Sequence, residues 1–184
     1  MRVFALSVLL LVAFAADAQR KKSGANDASG LPLSERIYFG GGGSFGGGRD
    51  LYGNRYTYIS ASPLVGYRIT IPWSAGLGVN YIYYRFPDNN VTLNQYGASP
   101  FTRYQFGKLF AYAEYSLISV PKFDNSSRKV YDRLPVGLGY SIPIGSKASL
   151  NAMALYDLLY DKRNSVFYSP WVFRVFVSAG ALTF

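Results

Sequence analysis

The chain contains no cysteine and no histidine. Without cysteine it has no disulfide framework, no thiol nucleophile and no residue to acylate as in a lipoprotein. Without histidine, a Ser-His or Asp-His catalytic site cannot be built. Together the two absences remove the usual sulfur and nitrogen ligands of a transition metal. Acids are scarce as well, with ten Asp and Glu against nineteen Lys and Arg, a formal net charge of +9. A carboxylate-only mechanism needs paired acids on adjacent elements. The two acids inside ordered-looking segments, Glu114 and Asp157, fall on segments that are not neighbours. The sequence therefore speaks against an enzyme, and no cofactor and no metal site is expected.

Long apolar runs are missing, except at the amino end. Arg2 supplies a positive start, and Phe4 to Ala15 is an apolar stretch too short to span a bilayer as a helix. Ala16-Asp17-Ala18 places small residues where a signal peptidase reads them, so residues 1–18 are expected to be a cleaved signal peptide. An exported chain rarely meets nucleic acid, so the basic balance points to anionic lipid headgroups, and no nucleic-acid partner is expected. Part of the charge lies in Arg20-Lys21-Lys22, which reads as a solvated tail. Residues 19–34 are polar and carry Pro32, which predicts a flexible periplasmic lead-in.

What is present, from residue 35 to residue 184, is alternation. Eight segments of about 10 to 13 residues alternate in side-chain character, the signature of a transmembrane barrel. They run Arg36–Gly46, Tyr56–Arg68, Ser74–Phe86, Tyr96–Phe106, Leu109–Ser119, Leu134–Ile142, Ala148–Tyr160 and Trp171–Phe184. Long connections (Gly47–Arg55, Pro87–Gln95, Val120–Arg133, Asp161–Pro170) alternate with short ones (Ile69–Trp73, Gly107-Lys108, Pro143–Lys147). In the seventh segment Leu150, Ala152, Ala154, Tyr156 and Leu158 share one face, opposite Ser149, Asn151, Met153, Leu155 and Asp157. No helix is on offer to cover the apolar faces, and lipid is the simplest cover. The predicted fold is all-β, an eight-stranded antiparallel transmembrane β-barrel in an up-and-down meander. Such a barrel closes its own edges and is expected to be a monomer.

Aromatic residues make up 17% of the chain and gather at segment ends, which predicts two interfacial girdles. Tyr56, Tyr58, Tyr84, Phe86 and Trp171 fall at the long-loop end. Tyr67, Phe106, Phe110, Tyr140 and Phe184 fall at the short-turn end. The glycine run Gly40–Gly43 and Gly46–Gly48 has no Gly-Lys-Ser/Thr ending and no following helix, so it reads as room for a small, tightly curved barrel. In the last segment Arg174, Ser178, Gly180, Leu182 and Phe184 share one parity. Leu182 and Phe184 are expected to face lipid and Arg174 is not, which calls for a β-bulge near Ala179 or Gly180.

The terminal Phe184, the apolar Leu182 before it, and segments such as Leu64-Val65-Gly66-Tyr67-Arg68 and Val136-Gly137-Leu138-Gly139-Tyr140 carry a resemblance. From Arg36 to Phe184 the chain resembles the small eight-stranded outer-membrane barrels of the OmpA/OmpX-like, porin-family type. The resemblance implies a place in the outer membrane of a Gram-negative cell. It also implies that Leu182 and Phe184 form the signal read by the barrel-assembly machinery, with lipid and lipopolysaccharide as the barrel's surroundings. It implies no single activity, since related barrels serve as structural proteins, adhesins, narrow pores and a few enzymes.

An eight-stranded barrel is just wide enough for side chains to fill. The expected interior polar cluster is Arg68, Arg103, Glu114 and Asp157, with Tyr58, Ser60, Ser62, Ser99, Phe101, Gln105, Tyr112, Asn151 and Arg174 around it. Buried charges must pair, and Arg103 with Glu114 is the expected pair. A structural plug is the leading reading of this cluster, and a gated polar path the alternative. Mixed charge in the outer loops, such as Arg49, Asp88 and Lys122, reads as a solvated rim, with lipopolysaccharide phosphates or a protein partner as the alternative. Three functions stay open: a non-enzymatic structural or accessory outer-membrane barrel, a narrow pore for small hydrophilic solutes or ions, and a secreted soluble lipocalin-like ligand-binding barrel.

Overall fold

The computed structural model describes residues 28, 31–49, 53–122, 127–145, 147–161 and 169–180. The expected signal peptide, Leu182 and Phe184 lie outside the described residues. A single helical turn, Leu33–Arg36, leads into the first strand, Ile37–Arg49. The second strand is Arg55–Arg68, the third Trp73–Phe86 and the fourth Val91–Phe106. The fifth comes in two pieces, Leu109–Glu114 and Ser116–Pro121, and the sixth likewise, Arg128–Arg133 and Pro135–Pro143. Ala148–Asp157 and Trp171–Ala179 are the seventh and eighth. Each strand pairs antiparallel with the next, and the eighth returns to the first, so the sheet closes into an eight-stranded up-and-down barrel.

The short turns follow from local chemistry. Gly107 takes a φ of 66° between Phe106 and Leu109, which are paired across a two-residue turn. Glycine adopts that region without a Cβ penalty, and such turns match the twist of the flanking strands. On the long-loop side the ladders run further than the alternation suggested. Residues Arg128–Arg133, expected in a loop, pair with Ser116–Pro121. The charged side chains of Arg128, Lys129 and Asp132 mark solvent, and main-chain hydrogen bonding continues regardless of them.

Alternation sorts the side chains. Inward lie Tyr38, Leu64, Phe101, Phe110, Tyr112, Met153, Leu155 and Phe176, which form one buried cluster. Outward lie Ile59, Val65, Leu77, Val79, Leu117, Leu138, Val175 and Val177, all exposed. The aromatic girdles need correcting. Tyr56, Tyr58, Tyr84 and Phe86 share the parity of buried Leu64 and Ser74 and contact one another inside the barrel, with ring centroids 5.8 to 6.5 Å apart. Phe110 is fully buried. Position along a strand sets an aromatic's height, but only its parity sets its side. Tyr67, Tyr104, Phe106 and Tyr140 at one end, and Tyr156, Trp171 and Phe173 at the other, do face outward.

The expected bulge is absent up to Ala179. The eighth strand pairs with the seventh in unbroken register from Trp171↔Tyr156 to Ala179↔Ala148, and Gly180 N–H donates to the Lys147 carbonyl at 2.9 Å. Arg174, buried Phe176 and Ser178 therefore all point inward.

Candidate functional site

The polar groups of the interior form three levels rather than one cluster. Nearest the short turns, Arg68 and Arg103 flank Ser74 in register. The Arg103 guanidinium donates to Gln105 Oε1 at 2.6 and 3.1 Å and to Asn151 Oδ1 at 3.1 Å. It also lies 4.0 Å from the centre of the Phe110 ring, a cation–π contact in a desolvated setting. Arg68 sits over Tyr38 at 5.6 Å, and the Tyr38 and Ser74 hydroxyls share a 3.0 Å hydrogen bond. Asn151 donates onward to Ser178 Oγ at 2.9 Å. Neutral amides and a ring thus surround the Arg103 guanidinium, and a small space of about 40 Å³ beside it is lined by Arg68, Arg103 and Lys147 with no acid among its described lining residues.

The middle level holds the ion pair, but with a different partner than expected. Glu114 accepts two bonds from Arg174, at 2.8 and 2.9 Å, in a bidentate fork. Tyr112 Oη and Ser116 Oγ each donate to it at 3.0 Å, and Ser99 extends the chain to Ser116 at 2.8 Å. Four donors saturate the carboxylate, which is what burial of a charge requires. The expected Arg103–Glu114 pair is not formed. Arg103 and Glu114 lie on adjacent strands but at different heights, and Arg174 projects inward from the eighth strand to reach Glu114 instead.

The third level lies at the long-loop rim. Asp157 is buried and accepts from Arg133 Nε at 2.7 Å and from the backbone N–H groups of Leu134 and Leu159 at 2.9 and 3.1 Å. It ties the interruption at Leu134 to the end of the seventh strand. Arg133, expected in a loop, shares the parity of buried Pro135, Gly139 and Ser141 and points inward.

Between the second and third levels, on the side of the first strand, lies a cavity of about 200 Å³. Ser44, Ser60, Ser62, Asn80, Glu114 and Arg174 are among its lining residues. Comparison with family models, curated proteins and solved structures found no match for this chain. Functional reading therefore rests on geometry. Among the described residues no three acids gather to hold a metal ion. The interior offers a packed floor, a neutral ion pair and a serine-bearing hollow above it. Such an arrangement can hold the wall in shape and bind a small polar group by hydrogen bonds.

Proposed function

We propose that the protein is an integral outer-membrane β-barrel with a non-enzymatic, structural or accessory role. In this reading it is exported through a cleaved signal peptide, inserted by the barrel-assembly machinery, and sits as a monomer among lipid and lipopolysaccharide. One observation carries the reading: the polarity of the barrel is inverted. Isoleucine, leucine and valine stand exposed around the outside, while Arg103, Glu114, Asn151 and Asp157 are buried within. A water-soluble ligand-binding barrel needs the reverse, because apolar surface is costly in water and buried charge is costly anywhere. In a bilayer the same outside is at no disadvantage, and every wall group is hydrogen-bonded within the sheet where the ladders run.

Electrophoresis of isolated outer membranes, boiled and unboiled, tests this. A folded band of shifted mobility in that fraction is the expected result. Recovery only from the soluble periplasmic or secreted fraction would overturn it and revive the soluble-barrel reading. The narrow-pore reading is disfavoured by the packing of Phe110, Arg103 and Leu155 across the lumen. Planar-bilayer recordings are expected to give no stable conductance steps.

A further inference from the structure

The barrel's closing seam is short. The first and eighth strands share three pairs, Phe39↔Ala179, Gly40↔Ser178 and Gly41↔Val177. Beyond Gly41 the first strand continues to Arg49, paired throughout with the second, and the eighth continues back to Trp171, paired throughout with the seventh. Among the described residues, no ladder joins these two continuations. If the register carried on, Phe45 would stand opposite Phe173. These two are instead the most exposed large apolar side chains among the described residues, at 87% and 76%. The hydroxyl-lined cavity lies directly behind the gap: its lining takes in Gly42, Gly43 and Ser44 from one lip and Phe173, Arg174 and Val175 from the other. A Cβ on Gly42 would lie 2.9 Å from the Val175 carbonyl, so the two strands still touch at Gly42 and the gap opens beyond it, towards Phe45 and Phe173.

We infer that this gap is a lateral portal for a single-chain amphiphile with an uncharged, hydroxyl-bearing head, of monoacylglycerol type. The inference rests on the membrane reading above. An open sheet edge at bilayer depth is tolerated where it lines a cavity or is covered. Phe45 and Phe173 frame an apolar lip facing the lipid, which suits an acyl chain. Behind them Ser62 and Asn80 line the cavity as donors and acceptors for hydroxyls, and Ser44 and Ser60, whose hydroxyls share a 2.7 Å bond, add acceptor capacity. Arg174 does not supply a free cation, because Glu114 takes both of its terminal nitrogens. The cavity is therefore electrically neutral, and a neutral head is favoured over a carboxylate or a phosphate.

The absence of native cysteine makes the test direct. Full-length protein is folded into phosphatidylcholine vesicles and photolabelled with a diazirine-bearing monoacylglycerol, labelled residues being located by mass spectrometry. Saturable labelling of the cavity wall around Ser60 and Ser62 is expected. Joining the lips in a Phe45→Cys, Phe173→Cys double variant should cut that labelling at least tenfold on oxidation and restore it on reduction. Ser62→Trp, which fills the cavity without touching the seam, should lose it too. Labelling confined to the outer face, or equal labelling of the open and bridged forms, would overturn the portal. Stronger interior labelling by a diazirine fatty acid would overturn the neutral-head assignment. Loss of the boiled-versus-unboiled shift in the wild type would instead overturn the membrane reading itself.

Discussion

The packed floor of this barrel and the hollow above it use the same residue type for opposite ends. Near the short turns, Gly66, Gly76 and Gly139 are the floor on which rings rest: a Cβ at Gly66 would strike Tyr38, one at Gly76 would strike the Val65 carbonyl and Phe101, and one at Gly139 would strike Phe110. In the other half, Gly78 looks into the hollow, and a Cβ there would meet nothing nearer than 3.7 Å. At the floor glycine admits a ring or a carbonyl, and at Gly78 it leaves a vacancy. A small barrel has too little interior to be roomy everywhere, so the half that is packed confers the stability that the hollow half forgoes.

That contrast can be broken or sharpened by substitution. The largest effect is expected at the boundary between the halves. Glu114→Ala strands the Arg174 guanidinium and should destabilise the barrel by about 3–5 kcal/mol, read as a lower urea midpoint for loss of the folded band. An unchanged midpoint would mean that the pair carries no structural weight. Next, Gly139→Val should cost about 1–3 kcal/mol through overpacking against Phe110. Gly78→Ala should stay within about 0.5 kcal/mol, measured in the same way. Equal costs at the two sites would erase the distinction between filled and hollow halves. At the rim, Asp157→Ala leaves the Leu134 and Leu159 N–H groups without their carboxylate and should cost about 1–2 kcal/mol. Faster hydrogen exchange is expected around Leu134 and Leu159, with Phe110 and its neighbours unaffected.

The smallest effect lies outside the barrel wall. Asp88 accepts a bond from the Arg55 side chain at 2.7 Å and from its backbone N–H at 2.8 Å. These hydrogen bonds hold its carboxyl below the ordinary value of 3.8. A depressed carboxylate contributes stability that is complete above the unfolded value and fades as the pH falls through the folded one. Both groups are solvent-accessible, so the contribution is small and screened by salt. Asp88→Asn should flatten a slight loss of stability on acidification below about pH 4, visible in low salt and absent in high salt.

Much of this was legible in the sequence, for an identifiable reason. A period of two is fixed by strand geometry, so parity alone put Arg68, Arg103, Glu114, Asp157, Asn151 and Tyr112 on one side of the wall. The partner of Glu114 was not legible. Arg174 lies 60 residues away, and their meeting depends on tilt and height across the lumen, which no local pattern encodes. Parity correctly placed Arg174 inward, and the supposed conflict came from Leu182 and Phe184, which lie outside the described residues. The side of the aromatics is not legible from clustering at strand ends, which fixes height and not parity. Tyr56, Tyr84 and Phe86 sit at the right height on the wrong side. The reach of the fifth and sixth strands was missed because charged side chains imitate a loop.

The packed floor of Phe110, Arg103 and Leu155 has a kinetic consequence. With the portal proposed above, a guest that enters from the side meets packed side chains towards the short turns and cannot pass on to that face of the membrane. There would then be no net flux across the membrane at any concentration gradient. Such a protein retains or presents its guest within one leaflet, and its timescale of action is set by the dwell time at that doorway.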